Sequence, residues 1–378
     1  MAAGAAESTH VSFATLRRAL LLRQTALISS GISLGITLGS IALGLLVSVC
    51  IIAAAGHNPF DALNQIWQGA FGSRYAVGNT FNVATPLLFV AVAFIIGYRA
   101  GLINVGGEGQ IYLGGAAAAA VALKAWQLPP FAALGASLIA AAAAGALWSG
   151  LAGVWRARFG INEIISTLLM NFIAIEIVSY LVKSPSLLQE PPTGVLKHLP
   201  QSDLVPANAR LPQLFPDDPN RLHLGFFIAI GVAVLAAALY RYTNLGLQLR
   251  MMGHNVQAAR QAGVSVAMLI VVAMLLSGAA GGLAGGDLVL GDQYRILNGL
   301  SPGYGFDGIV VALLARSSAL NAIAAALLFA ALRTGGLFTE TAIAVPSAII
   351  YVIEGVVILT VVGASYYVQR LRFARAAA

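Results

Sequence analysis

The chain has 378 residues, of which 59% are hydrophobic and only 9% charged, against about 25% charged in an ordinary soluble domain; this is the composition of an integral membrane protein. The net charge of +7 does not signal nucleic acid, because the basic residues stand mostly in short connections between apolar runs rather than in a groove or stripe, and they read as topology signals. Cys50 is alone within an apolar run, which excludes a disulfide framework and a thiolate metal site, and the five histidines fall outside or at the edges of the apolar runs, against histidine chemistry inside the membrane.

Residues 1–26 are small and polar, with Arg17, Arg18 and Arg23 ahead of an apolar run over 27–55. That run far exceeds the roughly 7–15 apolar residues of a secretory signal, so it reads as a retained first span. At about 20 apolar residues per crossing, further spans fall near 80–98, 102–123, 131–154, 161–182, 222–240, 264–286, 304–315, 318–337 and 343–364. The predicted fold class is all-α: a polytopic membrane bundle of about ten helices, with broken or re-entrant segments at the glycine-interrupted third span and after Gly303. The division that follows is a cytoplasmic segment 1–26, a transmembrane domain 27–365 and a cytoplasmic tail 366–378.

Lys and Arg near span ends are held on the cytoplasmic side. An inside N-terminus places Arg99, Arg156, Arg158, Arg241, Arg250, Arg260 and Arg316 inside, and a shorter set including Lys124, Lys183, Arg295 and Arg333 outside. Both termini are then cytoplasmic. The outside segment 184–221 is proline-rich and carries Glu190, Asp203, Asp217 and Asp218; it is either a tolerated linker or a docking surface for an external partner. In the inside connection 241–263, Asn255 is placed to N-cap a short helix through Gln261, and Gly263 to end it. A short, basic, capped helix between two spans can dock into a groove of a soluble cytoplasmic protein; the alternative is an interfacial helix on anionic lipid.

Gly101–Gly115 puts Asn104, Glu108 and Gln110 among glycines inside an apolar stretch. At membrane depth, a glycine-broken polar segment must be satisfied by protein or by cavity water, so these residues are candidates for the wall of a pathway or for a network that holds a broken helix in shape. If the third span is helical from Arg99, they sit roughly 8–17 Å deep. In the fifth span Glu163, Ser166, Thr167 and Asn171 share an arc of about 140°. Asn162 and Glu163 suit a helix start; Ser166, Thr167 and Asn171 lie deeper, on a packing seam or pathway wall. Asp307, between glycines, is a polar gate or a helix cap, and Glu354 is a membrane-buried acid. There is no GxxxxGK[ST], GxSxG or HExxH, so the chain has no ATP-binding loop of its own and no hydrolase centre, and is read as a transport subunit rather than an enzyme.

Four stretches in order, Gly101–Gln110, Asn162–Asn171, Leu245–Gly263 and Gly305–Leu314, resemble the permease subunits of bacterial ABC importers in the branched-chain amino acid and simple-sugar superfamily. The first two most resemble the nucleoside branch, whose binding proteins belong to the basic membrane lipoprotein family. The resemblance implies a multi-subunit importer in the bacterial inner membrane: a periplasmic or lipid-anchored solute-binding protein, two permease subunits in a homo- or heterodimer, surrounding lipid, and cytoplasmic ATPases that carry ATP and Mg, with no cofactor in this chain. It implies a path past Asn104, Glu108, Gln110, Ser166, Thr167, Asn171, Asp307 and Glu354, and an ATPase-docking helix with Arg250, Gly253, Asn255, Ala259 and Gly263 on the family pattern. Arg316 stands where family members usually have glycine, and Glu354 where they commonly have Gln. Simple sugars and amino acids are the alternative solutes in the same superfamily. The rival from another class is an ion-coupled secondary transporter using Glu108, Glu163 and Glu354, to which broken helices are equally suited.

Overall fold

The structure is a computed structural model, describing residues 58–191, 199–215 and 222–343 together with scattered positions over 39–56 and 352–363. The expected first span at 27–55, most of the last at 343–364, both terminal segments and Glu354 lie largely or wholly outside the described residues.

A helix that sequence reading missed precedes the first of the long spans described. Helix α1 (Pro59–Phe71) opens with Pro at its first position, Asp61 in the first turn and the Asn58 side chain accepting from Phe60 N, each a favoured start signal. Its aromatic side chains Phe60, Trp67 and Phe71 are exposed. Ser73 then caps α2 (Arg74–Arg99) by accepting from Ala76 N at 3.0 Å. Within its most apolar stretch α2 is 89% buried, so it is the central post of the bundle. Pro86 lies inside it, and Thr85 Oγ1 donates to Phe81 O one turn back.

After α2 the chain does not re-enter a helix at once. Gly101, at φ +78, turns it into a non-helical run over 102–105, and α3 (Gly107–Lys124) begins only then. Helix α4 (Pro130–Phe159) ends at Gly160, which takes the left-handed conformation at φ +69, the usual glycine C-cap. Asn162 caps α5 (Glu163–Lys183) through Ile164 N. The remaining elements are α6 (Gly225–Tyr242), α7 (Asn244–His254), α8 (Val256–Gln261), α9 (Val266–Asp287) with a π turn over Leu288–Asp292, α10 (Tyr304–Leu314) and α11 (Asn321–Ile343).

Among the described residues six helices are long and apolar enough to cross a membrane: α2, α4, α5, α6, α9 with its π turn, and α11. They match six of the expected spans. The other two expected spans in the described region are shorter or broken: 102–123 is split into a non-helical segment and α3, and 304–315 is α10, which at 11 residues reaches about 16 Å, half the ~30 Å hydrocarbon core.

Helices α4 and α9 approach as closely as backbones allow. A Cβ at Gly145 would overlap the carbonyl oxygen of Gly278, one at Gly278 that of Gly145, and one at Gly282 that of Ala141; α3 meets the same helix where a Cβ at Gly285 would overlap Ile111 O. Lipid tails are as apolar as leucine, so association inside a bilayer rests on such small-residue contact. The outer face of α4, with Phe131, Ile139 and Leu147 exposed, is left for the hydrocarbon.

The two ends of the bundle differ. At one, Arg99 Nε donates to Ser317 O at 2.9 Å, Arg156 pairs with Glu163, and α7 and α8 cross beneath. At the other, the described part of 184–223 is packed on the chain itself: Ser202 N donates to Ile296 O, Asn298 N to Pro200 O, and Asn208 Nδ2 reaches Ala125 O and Leu128 O past the end of α3. This segment is a built cover rather than a loose linker. Its last buried residue, His223, lies against the end of α9. Burial pushes the imidazole down to about 4; its Nδ1 accepts from Gly225 N, so the ring is neutral and its approach to Asp287 at 3.7 Å is not an ion pair.

Candidate functional site

The site is built around the break before α3. Asn104 Nδ2 donates to Ser277 Oγ on α9 at 2.8 Å and to Ser149 Oγ on α4 at 3.3 Å. Its Oδ1 accepts from Gly106 N at 2.9 Å and from Gln110 Nε2 at 3.1 Å. Ser277 Oγ in turn donates to Ala93 O of α2. One amide therefore ties the non-helical segment to three helices.

The polar face of α5 does the same from the other side. Thr167 Oγ1 accepts from Val105 N at 3.1 Å and donates to Glu163 O at 2.6 Å. Asn171 Oδ1 accepts from Gly109 N at 2.8 Å while its Nδ2 donates to Val105 O at 2.9 Å. These are backbone groups that an unbroken helix would have satisfied internally; with no water in the hydrocarbon, side chains must satisfy them. Asn104, Gln110, Thr167 and Asn171 are each at most 3% exposed, as a brace requires. Ser166 is also buried, and its Oγ donates only to Glu163 O within its own helix. Glu163 sits at the helix start against Arg156 Nε at 3.2 Å.

Glu108 has a different role. It lies in the first turn of α3, and its Oε2 accepts from Gly305 N in the first turn of α10 at 2.7 Å. The first turns of α3 (18 residues) and of the 11-residue α10 thus meet inside the bundle, with a carboxylate between their N-termini. Each N-terminus carries roughly half a positive charge of backbone dipole, so the carboxylate satisfies one and faces the other. Contact there is close: a Cβ at Gly305 would overlap Glu108 N. The depth expected for these residues from unbroken helical rise does not apply, because residues 102–105 are not helical.

Asp307, one turn into α10, pairs with Arg333 of α11. Arg333 also donates to Pro302 O at 2.9 Å and lies 4.9 Å from the Tyr304 ring centroid. Asp307 keeps 28% of its side chain exposed while Arg333 keeps 7%. Sequence reading placed Arg333 outside as a topology signal; the structure buries it twelve residues into α11, held by the pair. The difference follows from the helix running on to Ile343, past the expected span end at 337. The sequence signal was an Asp between Gly305 and Gly308 and an Arg shortly before Gly335 and Gly336, in consecutive apolar segments.

At the arginine-rich end Asn255 Oδ1 accepts from both Gln257 N and Ala258 N, capping α8 as expected, and Gly263 ends it at φ +79. Ala259 is buried and Arg250 exposed. Gly253 is a packing position, because a Cβ there would overlap Arg99 O. At the turn after α10, Arg316 and Ser317 take φ +52 and +53, the left-handed region that glycine occupies without cost.

Residues 76–362 match the family described as branched-chain amino acid transport system / permease component. The chain belongs to this permease family. The permease is 36% identical over 333 residues to a guanosine ABC transporter permease protein of Bacillus subtilis, covering 88% of this chain and 93% of that protein. It is 34% identical over 336 residues to a glucose ABC transporter permease protein of Haloferax volcanii, covering 85% of each. A nucleoside ABC transporter permease protein of Lactococcus lactis is 30% identical over 305 residues, covering 78% of this chain and 82% of that protein. As a member of the family the permease is a multi-pass membrane transport component and not itself an enzyme.

Proposed function

We propose that this permease forms the translocation path of an ATP-driven importer for nucleosides. Family membership argues against the ion-coupled carrier, and relatives named for guanosine and nucleosides, one matching over 93% of its length, support the solute class. The observation that carries the ATP-driven part is the Asn255-capped α8 next to α7 at the arginine-rich end. A self-contained carrier has no use for it; an ATPase has. Arg250, Asn255 and Gly263 would form the contact, while the buried Ala259 and the close-packed Gly253 would hold α8 and α7 against the bundle. By the positive-inside rule this end is cytoplasmic, and the covered end with 184–223 faces the solute-binding protein.

Asp307, with its exposed carboxylate edge, is the strongest candidate for a group on the path, followed by Glu108 at the meeting of the first turns of α3 and α10. Burial and backbone bonding favour a bracing role for Asn104, Gln110, Ser166, Thr167 and Asn171. The glucose relative favours a second reading, a simple-sugar solute. Proteoliposomes carrying this permease with its co-purified subunits and binding protein decide between them: ATP-dependent uptake of guanosine and not of glucose is expected. ATP-independent uptake by the permease alone would overturn the ATP-driven part, and glucose-only uptake the solute.

A further inference from the structure

Two clefts at the arginine-rich end share Arg99 and Arg250. The larger, of about 500 Å³, includes Tyr98, Arg99, Arg250, His254 and Arg316 in its lining. The smaller, of about 270 Å³, runs along Ile95, Ala236, Ala237 and Leu320 between α2, α6 and the start of α11, and adds Arg241. No Asp or Glu lines either cleft. Four guanidinium groups therefore border two adjoining clefts, and the smaller adds apolar side chains from the spans, among which Leu320 is exposed.

Arg99 is fixed rather than free to swing into solvent. Its Nε is spent on Ser317 O and its guanidinium lies 5.4 Å from the Tyr240 ring centroid, with Tyr240 itself anchored to Ile96 O at 2.5 Å. The terminal nitrogens are the donors left to the cleft. Fixed, planar guanidinium groups recognise phosphate oxygens with more than one hydrogen bond each.

We propose that the adjoining clefts hold one anionic phospholipid, its phosphate on Arg99, Arg250 and Arg316 and an acyl chain against Ala237 and Leu320. Basic pockets between membrane helices suit anionic headgroups, and the apolar side chains on the flanks of spanning helices distinguish a lipid from a free anion or an acidic peptide. The lipid would bridge the ends of α2, α6, α7 and α10.

The test is native mass spectrometry and thermal unfolding of the full chain in detergent, titrated in turn with phosphatidylglycerol, phosphatidylcholine and inorganic phosphate. Phosphatidylglycerol is expected to stay bound and raise the unfolding midpoint while phosphatidylcholine does neither. Arg99→Gln/Arg250→Gln is expected to weaken retention about tenfold or more, with Arg158→Gln, at the same end but outside the clefts, binding as the parent does. If the variant at Arg99 does not fold, Arg241→Gln/Arg250→Gln gives the same readout from exposed positions. Equal retention of both lipids, unchanged retention in the variants, or displacement of the lipid by equimolar inorganic phosphate overturns the proposal. So does a chain that retains no phosphatidylglycerol while Arg250→Gln loses only its co-purifying ATPase, which would assign the clefts to an acidic partner surface.

Discussion

Asp307 and Arg333 show how differently two charges in one pair are placed. The arginine is enclosed by Pro302 O, the Tyr304 ring and its partner, whereas the aspartate keeps an exposed edge. Removing one member of a largely buried pair strands the other, so Arg333→Gln is expected to lower stability by about 3 kcal/mol, with Asp307→Asn/Arg333→Gln recovering more than half of it in thermal unfolding. Glu108→Gln keeps a carbonyl to accept from Gly305 N, so the fold and transport are expected to persist. Glu108→Val leaves that N–H buried without an acceptor and is expected to lose about 1–3 kcal/mol. His223 has a pH signature. Its folded value near 4 lies below the ~6.5 of an unperturbed histidine, so the unfolded chain binds the proton more readily and stability falls as pH drops from about 6.5 toward 4. Unfolding midpoints across that window should show the fall in the parent chain and a smaller one in His223→Gln.

Among the elements, the helices that sequence reading placed well are those whose apolar run is uninterrupted, because length and hydropathy alone decide them. The breaks were legible as breaks, from the glycines around Glu108 and Asp307, but their depth and their meeting were not, because both depend on contacts between segments almost 200 residues apart. Helix α1 was missed although Asn58, Pro59 and Asp61 announce its start, because its exposed aromatic side chains interrupt no polar stretch that a span search would weigh. The small-residue crossing of α4 and α9 admits nothing larger: Gly278→Leu must displace Gly145 backbone and is expected to cost about 3 kcal/mol, read as lost monodisperse protein and a lower unfolding midpoint. At the turn after α10 the opposite holds. Ser317→Gly relieves a left-handed residue while keeping the carbonyl that Arg99 uses, and is expected to gain about 1 kcal/mol.

For the whole molecule, charge placement along the sequence anticipated which connections gather at one end: Arg99, Arg241, Arg250 and Arg316 do meet there. It failed for Arg333, whose charge is internal. The polar residues of 101–115 and 162–171 were recognised as a set, but sequence could not separate a wall from a brace, since both need buried amides; only the backbone partners of Asn104, Thr167 and Asn171 distinguish them. Those partners also impose an order on synthesis. Val105 waits for Thr167, 62 residues later, and Asn104 for Ser277, 173 residues later. The non-helical segment therefore leaves the ribosome long before the groups that complete it, and must be kept wet or shielded by the insertion machinery until α5 and α9 arrive. Assembly of the third membrane segment is post-insertional, and chains truncated before α5 should leave residues 101–106 reachable by water-soluble thiol reagents at introduced cysteines, where the full chain does not.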